Sequence, residues 1–330
     1  MSVPPGLRER IVVAPEIAAA LAAGRPVVAL ESTLISHGLP YPENLEVAHA
    51  SEGAVRDRGA TPATVAINGG RILVGLGEDS LEALATAPAG SVAKAARPNL
   101  AVALAGGGWA ATTVSATMIA AHAAGIRVVA TGGIGGVHRG AVGGPDPSLD
   151  ISADVEELAR TPVAVVCAGP KAILDLRLTL EYLETHGVPV VAIGQDEMPG
   201  FYSRGSGVRA PASAPDADSA AGIVATHLGM GLGSAILVCA PVPEADALPL
   251  DVARGAVDEA IADAERARIH GPDLTPWLLA RIAEITGGAS VRANTSLIVN
   301  NAGVAARLAA ALAAALTAAL AEAWPQAPAS

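Results

Sequence analysis

The stretch Val163-Ala-Val-Val-Cys-Ala-Gly-Pro-Lys-Ala-Ile-Leu-Asp175 passes from an unbroken apolar run, through a glycine-proline turn, into a helical pattern that continues to His186. Apolar runs that do not alternate with polar residues predict strands covered on both faces. A strand of that kind followed by a helix is the building unit of a layered α/β fold. The same order recurs. Residues 27–30, 64–67, 72–74, 100–104, 128–130, 188–193 and 236–239 read as further strands, and 42–58, 113–124, 154–160, 256–269 and 275–286 as helices. The chain therefore predicts one α/β domain over residues 1–330 with a largely parallel or mixed sheet, whose ligands bind at the carboxyl ends of the strands. Segments 140–148 and 209–219, rich in glycine, proline and small polar residues, read as mobile surface loops.

Composition narrows the function classes. With 330 residues, 51% of them hydrophobic, the chain can bury a large core. Its net charge of -11 repels nucleic-acid phosphate, and no cluster of Lys and Arg offsets that balance, so a nucleic-acid partner is not expected. The only two cysteines, Cys167 and Cys239, fall in strand-like apolar runs and read as small core residues of a reducing compartment. The segment from Met1 to Arg10 lacks the apolar stretch of a secretion signal, and no uncharged run reads as a membrane span, so a cytoplasmic location is expected. Alanine carries much of the positive mean hydropathy. Leu308, Leu312, Leu316 and Leu320 mark one apolar stripe on an Ala-rich C-terminal helix.

The polar residues that could do chemistry gather at predicted strand ends. Lys171 follows the 163–167 run, where an amine loses hydration and is kept in part neutral and nucleophilic; a solvated or phosphate-binding lysine is the alternative. Glu31 follows the 27–30 run beside Ser32 and Thr33, placed either as a general acid or as a capping carboxylate. In Thr131-Gly-Gly-Ile-Gly-Gly-Val-His-Arg139, glycine N–H groups with His138 and Arg139 suit a phosphate or a substrate oxygen. Asp150-Ile-Ser-Ala-Asp154 either holds a hard divalent cation or caps the helix that follows it. Asn294 offers an amide that can read a nucleobase edge, or serves a turn.

Taken together, the segments 29–44, 112–119, 131–140, 150–154, 160–171 and 178–189 give the chain a resemblance, from about Pro15 to Ala305, to the pseudouridine-5'-phosphate glycosidase family, also called indigoidine synthase A-like. That resemblance implies a homotrimer of α/β/α subunits that reversibly splits the C–C glycosidic bond of pseudouridine 5'-phosphate into uracil and ribose 5-phosphate, with a divalent metal, typically Mn²⁺. It implies a covalent role for Lys171, proton donation by Glu31 and metal binding by Asp150. Lys94, Val114, Ser152, Ala153 and Asp154 match substrate contacts, and Asn294 a uracil-facing amide. The chain departs from the family pattern at Pro170 and in a longer loop at 143–148.

Overall fold

The computed structural model describes residues 3–143, 147–269 and 274–323, with side chains described as far as residue 315. Its strands are β1 (Ile11–Val13), β2 (Val27–Leu30), β3 (Thr61–Asn68), β4 (Arg71–Val74), β5 (Ala93–Ala95), β6 (Ala110–Thr112), β7 (Val128–Ala130), β8 (Val137–His138), β9 (Ala164–Cys167), β10 (Leu174–Asp175), β11 (Val190–Ile193), β12 (Ala212–Ala214) and β13 (Ile236–Cys239). Eleven of them form one sheet in the order β1-β4-β3-β2-β7-β9-β13-β11-β12, with β6 against β3 and β5 against β6; β8 and β10 make a separate antiparallel pair. Within the large sheet only the pairings of β3 with β4 and with β6 are antiparallel.

The lack of alternation along the central strands has a direct structural cause. Val27, Ala29, Val165, Cys167, Leu237 and Cys239 point to one face, against helices Pro15–Ala22 and Val114–Ala124. Their neighbours Val28, Leu30, Val166 and Val238 point to the other, against helices Glu43–Arg56, Ala217–Gly229 and Ala289–Ala323. Both faces are buried, so both sets are apolar, which gives the expected three layers.

The long helix Ala289–Ala323 packs on β7, β2 and β9 and between its two neighbouring helices. Buried Ala302, Ala305, Ala306 and Ala309 let it approach closely. Leu308 and Leu312 are buried as the stripe predicts; the side chains of Leu316 and Leu320 lie outside the described residues. Residues 289–315, which include Arg292 and Arg307, are long and apolar enough to cross a membrane by length and composition, but most of the apolar window is buried inside the protein. Its hydrophobicity is that of a core helix.

Two further expectations change. Residues 100–104 are not a strand but part of the helix Leu100–Gly106. Short apolar runs do not distinguish the two conformations, and here Val102 is exposed while Leu100 and Leu104, four residues apart, pack on the core. Within 209–219, β12 extends the sheet edge in parallel with β11, and Asp216 caps the helix that begins at Ala217. Of the other expected loop, residues 144–146 lie outside the described residues.

Because Leu308 is fully buried between sheet and helices, Leu308→Ala is expected to cost about 3 kcal/mol through lost burial and a residual cavity. Chemical denaturation checks this, with a loss below about 1 kcal/mol counting against the packing described.

Candidate active site

The carboxyl ends of β2, β7 and β9 lie side by side, and the residues that leave them are tied together by short-range bonds. Glu31, directly after β2, is buried, and each of its carboxylate oxygens accepts a hydroxyl: Oε2 from Thr33 and Oε1 from Thr131. Ser32 is buried as well; its N–H donates to the Thr112 carbonyl (3.2 Å), and its Oγ accepts the Thr112 N–H (2.9 Å). These bonds join the end of β2 to the end of β6, from which Val114 and the helix Val114–Ala124 start.

Lys171 sits half-buried beyond β9. Its N–H donates to the Ile134 carbonyl (3.1 Å), while the Ile134 N–H donates to the Gly169 carbonyl (3.1 Å). The glycine turn after β7 thereby grips the segment that carries the lysine. Glycine is required there by contact: a Cβ on Gly133 would come 2.5 Å from Phe201 and 2.9 Å from the Gly169 carbonyl, and one on Gly135 would come 2.1 Å from Ser152 Oγ. The turn was expected to cradle a phosphate or a substrate oxygen. The anion seen against it belongs to the protein: Gly135 N–H donates to Asp154 Oδ2 (2.9 Å), and Ser115 N–H, at the start of its helix, donates to Asp154 Oδ1 (2.9 Å).

Asp154 thus has both oxygens engaged by backbone. Ser152 caps the helix Ala153–Leu158, accepting the Asp154 N–H at 3.2 Å, so within the 150–154 segment the capping role falls to Ser152. One turn on, Glu157 is fully buried and receives the Arg97 guanidinium and the Thr161 hydroxyl. That clasp fixes the segment carrying Lys94 against the segment carrying Ser152, Ala153 and Asp154.

Electrostatics places Lys94 among the same groups. Lost hydration, and then repulsion from Lys171, lower its pKa from the ordinary lysine value, while Glu31 and Asp154 pull it back up. The same ammonium, after burial, depresses His37, which lies on the single turn of π-helix Leu34–Gly38 that follows Glu31. Lys94 is therefore the common neighbour of Glu31, His37, Asp154 and Lys171, which come from separate parts of the sequence.

Lys171 also lines a cleft of about 400 Å³ shared with Arg139, Arg177 and Arg254. Glu31 is not on that cleft. It borders a narrow cavity of about 10 Å³ with Thr131, Thr64, Ile298 and Ala302. Asn294 is half-buried one helical turn before Ile298. Val114 is buried, leaving mainly its backbone for a ligand.

Asp150 lies outside the capped helix with its side chain about half exposed, and His138 Nδ1 is 3.9 Å from its Oδ2. The His138 N–H donates to the Asp150 carbonyl (3.0 Å), and Ile151 bridges Val137. No group of three or more His, Cys, Asp or Glu side chains suited to a metal occurs among the described residues. A single accessible carboxylate fits a hard divalent cation that keeps most of its waters, and does not fit a closed protein cage.

Thr131 and Asn301 escaped the sequence reading as site residues. Fully buried Asn301 donates through Nδ2 to the carbonyls of Thr131 (2.9 Å) and Gly132 (3.1 Å). The signal in the sequence was an amide pair, Asn300-Asn301, interrupting the apolar run from Leu297 to Ala306.

The chain is similar to solved proteins of this shape. It superposes on the prealnumycin C-glycosynthase AlnA, solved in complex with ribulose 5-phosphate, with a TM-score of 0.85 and 39% identity, covering 93% of this chain and 98% of that one. An indigoidine synthase A-like protein from Thermotoga maritima gives a TM-score of 0.80 at 33% identity, over 92% of this chain and 96% of that one. Among sequences, a pseudouridine-5'-phosphate glycosidase of Paracoccus denitrificans is 54% identical, over 90% of this chain and 97% of its own. One from Caldanaerobacter subterraneus is 52% identical, over 89% and 94%. The model of the family described as Indigoidine synthase A like protein matches residues 16–311, and the chain belongs to that family.

Proposed function

We propose that this protein is a pseudouridine-5'-phosphate glycosidase, reversibly splitting the C–C bond between uracil C5 and ribose C1' to give uracil and ribose 5-phosphate. The observation that carries the reading is the convergence on Lys94 of a buried acid, Glu31, and a backbone-clamped amine, Lys171. More than half identity to proteins of that name over nearly the whole chain supports it.

The chemistry needs two kinds of group. As the ring C1'–O4' bond breaks, C1' becomes electrophilic and the lone pair of neutral Lys171 Nζ forms a bond to it, while a proton passes from that nitrogen to the departing O4' and leaves the nitrogen a lone pair. Glu31 delivers a proton to C5 of the base. The C1'–C5 bond then breaks, its electron pair returning to the uracil ring, while the nitrogen lone pair closes a C1'=N imine. Water adds to the imine, freeing ribose 5-phosphate and the amine. The Thr33 and Thr131 hydroxyls orient the acid. Lys94 supplies positive charge for the phosphate, His138 and the 152–154 segment contribute further substrate contacts, and Asn294 offers its amide to uracil. Mn²⁺ held by Asp150 and waters would supply further positive charge to ring or phosphate oxygens.

Incubation with pseudouridine 5'-phosphate and Mn²⁺ is expected to release uracil, and uracil with ribose 5-phosphate to run the reaction backwards. Chelation is expected to stop it, with Asp150→Ala raising the metal concentration needed. Light scattering of the same preparation should read three chains. Folded protein that forms no product in either direction would refute the assignment.

Loss of Lys171 and loss of Glu31 are expected to differ. Lys171→Ala leaves no borohydride-trapped adduct with ribose 5-phosphate. Glu31→Ala still traps it yet releases little uracil, because the sugar half-reaction does not involve the base. Mass spectrometry of the trapped peptide decides, and a label on another lysine overturns the covalent assignment.

Since the pKa of Lys94 is lowered, its charge is lost at a lower pH than that of an ordinary lysine. The alkaline limb of kcat/KM is therefore expected to fall below the usual lysine range, and Lys94→Arg, which stays charged, to move that limb upward. An unchanged profile in the variant would separate Lys94 from phosphate binding.

A further inference from the structure

Asn301 is an unusual choice for its place. Asparagine is a poor residue for a helix interior, and this one is fully buried in a helix whose other inward residues around it are Leu297, Ile298, Ala302, Ala305 and Leu308. Its Oδ1 is the only buried side-chain oxygen or nitrogen without a hydrogen-bond partner among the described residues. An unpaired buried acceptor opposes folding, so an apolar residue would suit the helix better. The compensating contacts all go to one place: both Nδ2 hydrogens are spent on consecutive carbonyls, Thr131 and Gly132.

Those carbonyls belong to the turn that serves the acid. The Thr131 N–H is held by the Val166 carbonyl of β9 (3.0 Å), and Asn301 holds the Thr131 carbonyl (2.9 Å). With its backbone pinned on both sides, Thr131 presents its hydroxyl to Glu31 Oε1. The Gly132 carbonyl also accepts the Ala168 N–H (2.9 Å), which ties the same turn to the segment leading to Lys171. We infer that Asn301 is a positioning residue: acting through Thr131, it sets the plane of the Glu31 carboxyl for proton transfer to carbon. This rests on the reading of Glu31 as proton donor in pseudouridine 5'-phosphate cleavage. A carboxyl that must reach a carbon atom has little directional tolerance, because the reacting carbon offers no strong hydrogen bond to draw it into line.

The test is a double-mutant cycle on the full-length protein with Asn301→Leu, Thr131→Val and the pair, each checked for folding by thermal denaturation. Asn301→Leu is expected to lower kcat for uracil release about tenfold with KM changed less than about twofold, because it touches no substrate. Borohydride trapping of ribose 5-phosphate on Lys171 stays at the wild-type level. The pair is expected to be no slower than the slower single variant, since both act through one contact. Should Asn301→Leu fail to fold, Asn301→Ser, too short to span both carbonyls, carries the same expectations. Wild-type kcat in a folded variant, multiplied losses in the pair, or trapping that falls in step with uracil release would each overturn the inference. A wild-type protein that releases no uracil refutes the proposed function itself and takes this inference with it.

Discussion

The carboxylate of Asp154 holds the site together. It takes one N–H from the start of the helix after β6 and one from the glycine turn after β7, two segments that no strand pairing joins directly. Charge-assisted bonds of this kind are stronger than neutral ones, and a buried carboxylate without them would oppose folding. The helix that carries Asp154 also carries Glu157, three residues on, whose bond to Arg97 brings in the segment with Lys94. One short helix therefore sets the spacing of three strand-end segments. The placement of Val114, of the segment with Lys94 and of the turn that grips Lys171 depends on that spacing.

The layered sheet was legible because its physical cause is local. A strand covered on both faces must be apolar at every position, and 27–30, 128–130, 164–167 and 236–239 are. Residues 100–104 satisfied the same pattern and form a helix, since a five-residue apolar run carries no period. Strand β12 was hidden because an edge strand of small residues, Ala212-Ser-Ala214, has the composition of a loop; its pairing with β11 supplies what the side chains do not.

The site was legible in part. Glu31, Lys94, Asp154 and Lys171, placed by motif, do come together. Local sequence left out the contacts that fix some of the intervening residues. The glycines of 132–136 suggested an anion from outside, whereas Gly133 and Gly135 are required by contacts with Phe201, Gly169 and Ser152, residues 17 to 68 positions away. Asn301 lies 170 residues from Thr131, and nothing near either residue announces the partnership. Pairings over such separations belong to the topology, and only the folded chain displays them.

The pinning of the chain on either side of the 143–148 segment has an evolutionary consequence. Ahead of the segment, the Ala141 carbonyl accepts the Leu149 N–H; behind it, Asp150 is bonded to His138, Ile151 bridges Val137, and Ser152 donates its N–H to Gly136. The described residues flanking 144–146 are thereby held together at one place. Residues can be inserted or lost between those anchors at a small entropic cost that grows only with the logarithm of loop length, without displacing Asp150 or Asp154. Selection can therefore tune this stretch for other ends while the geometry behind it stays constant.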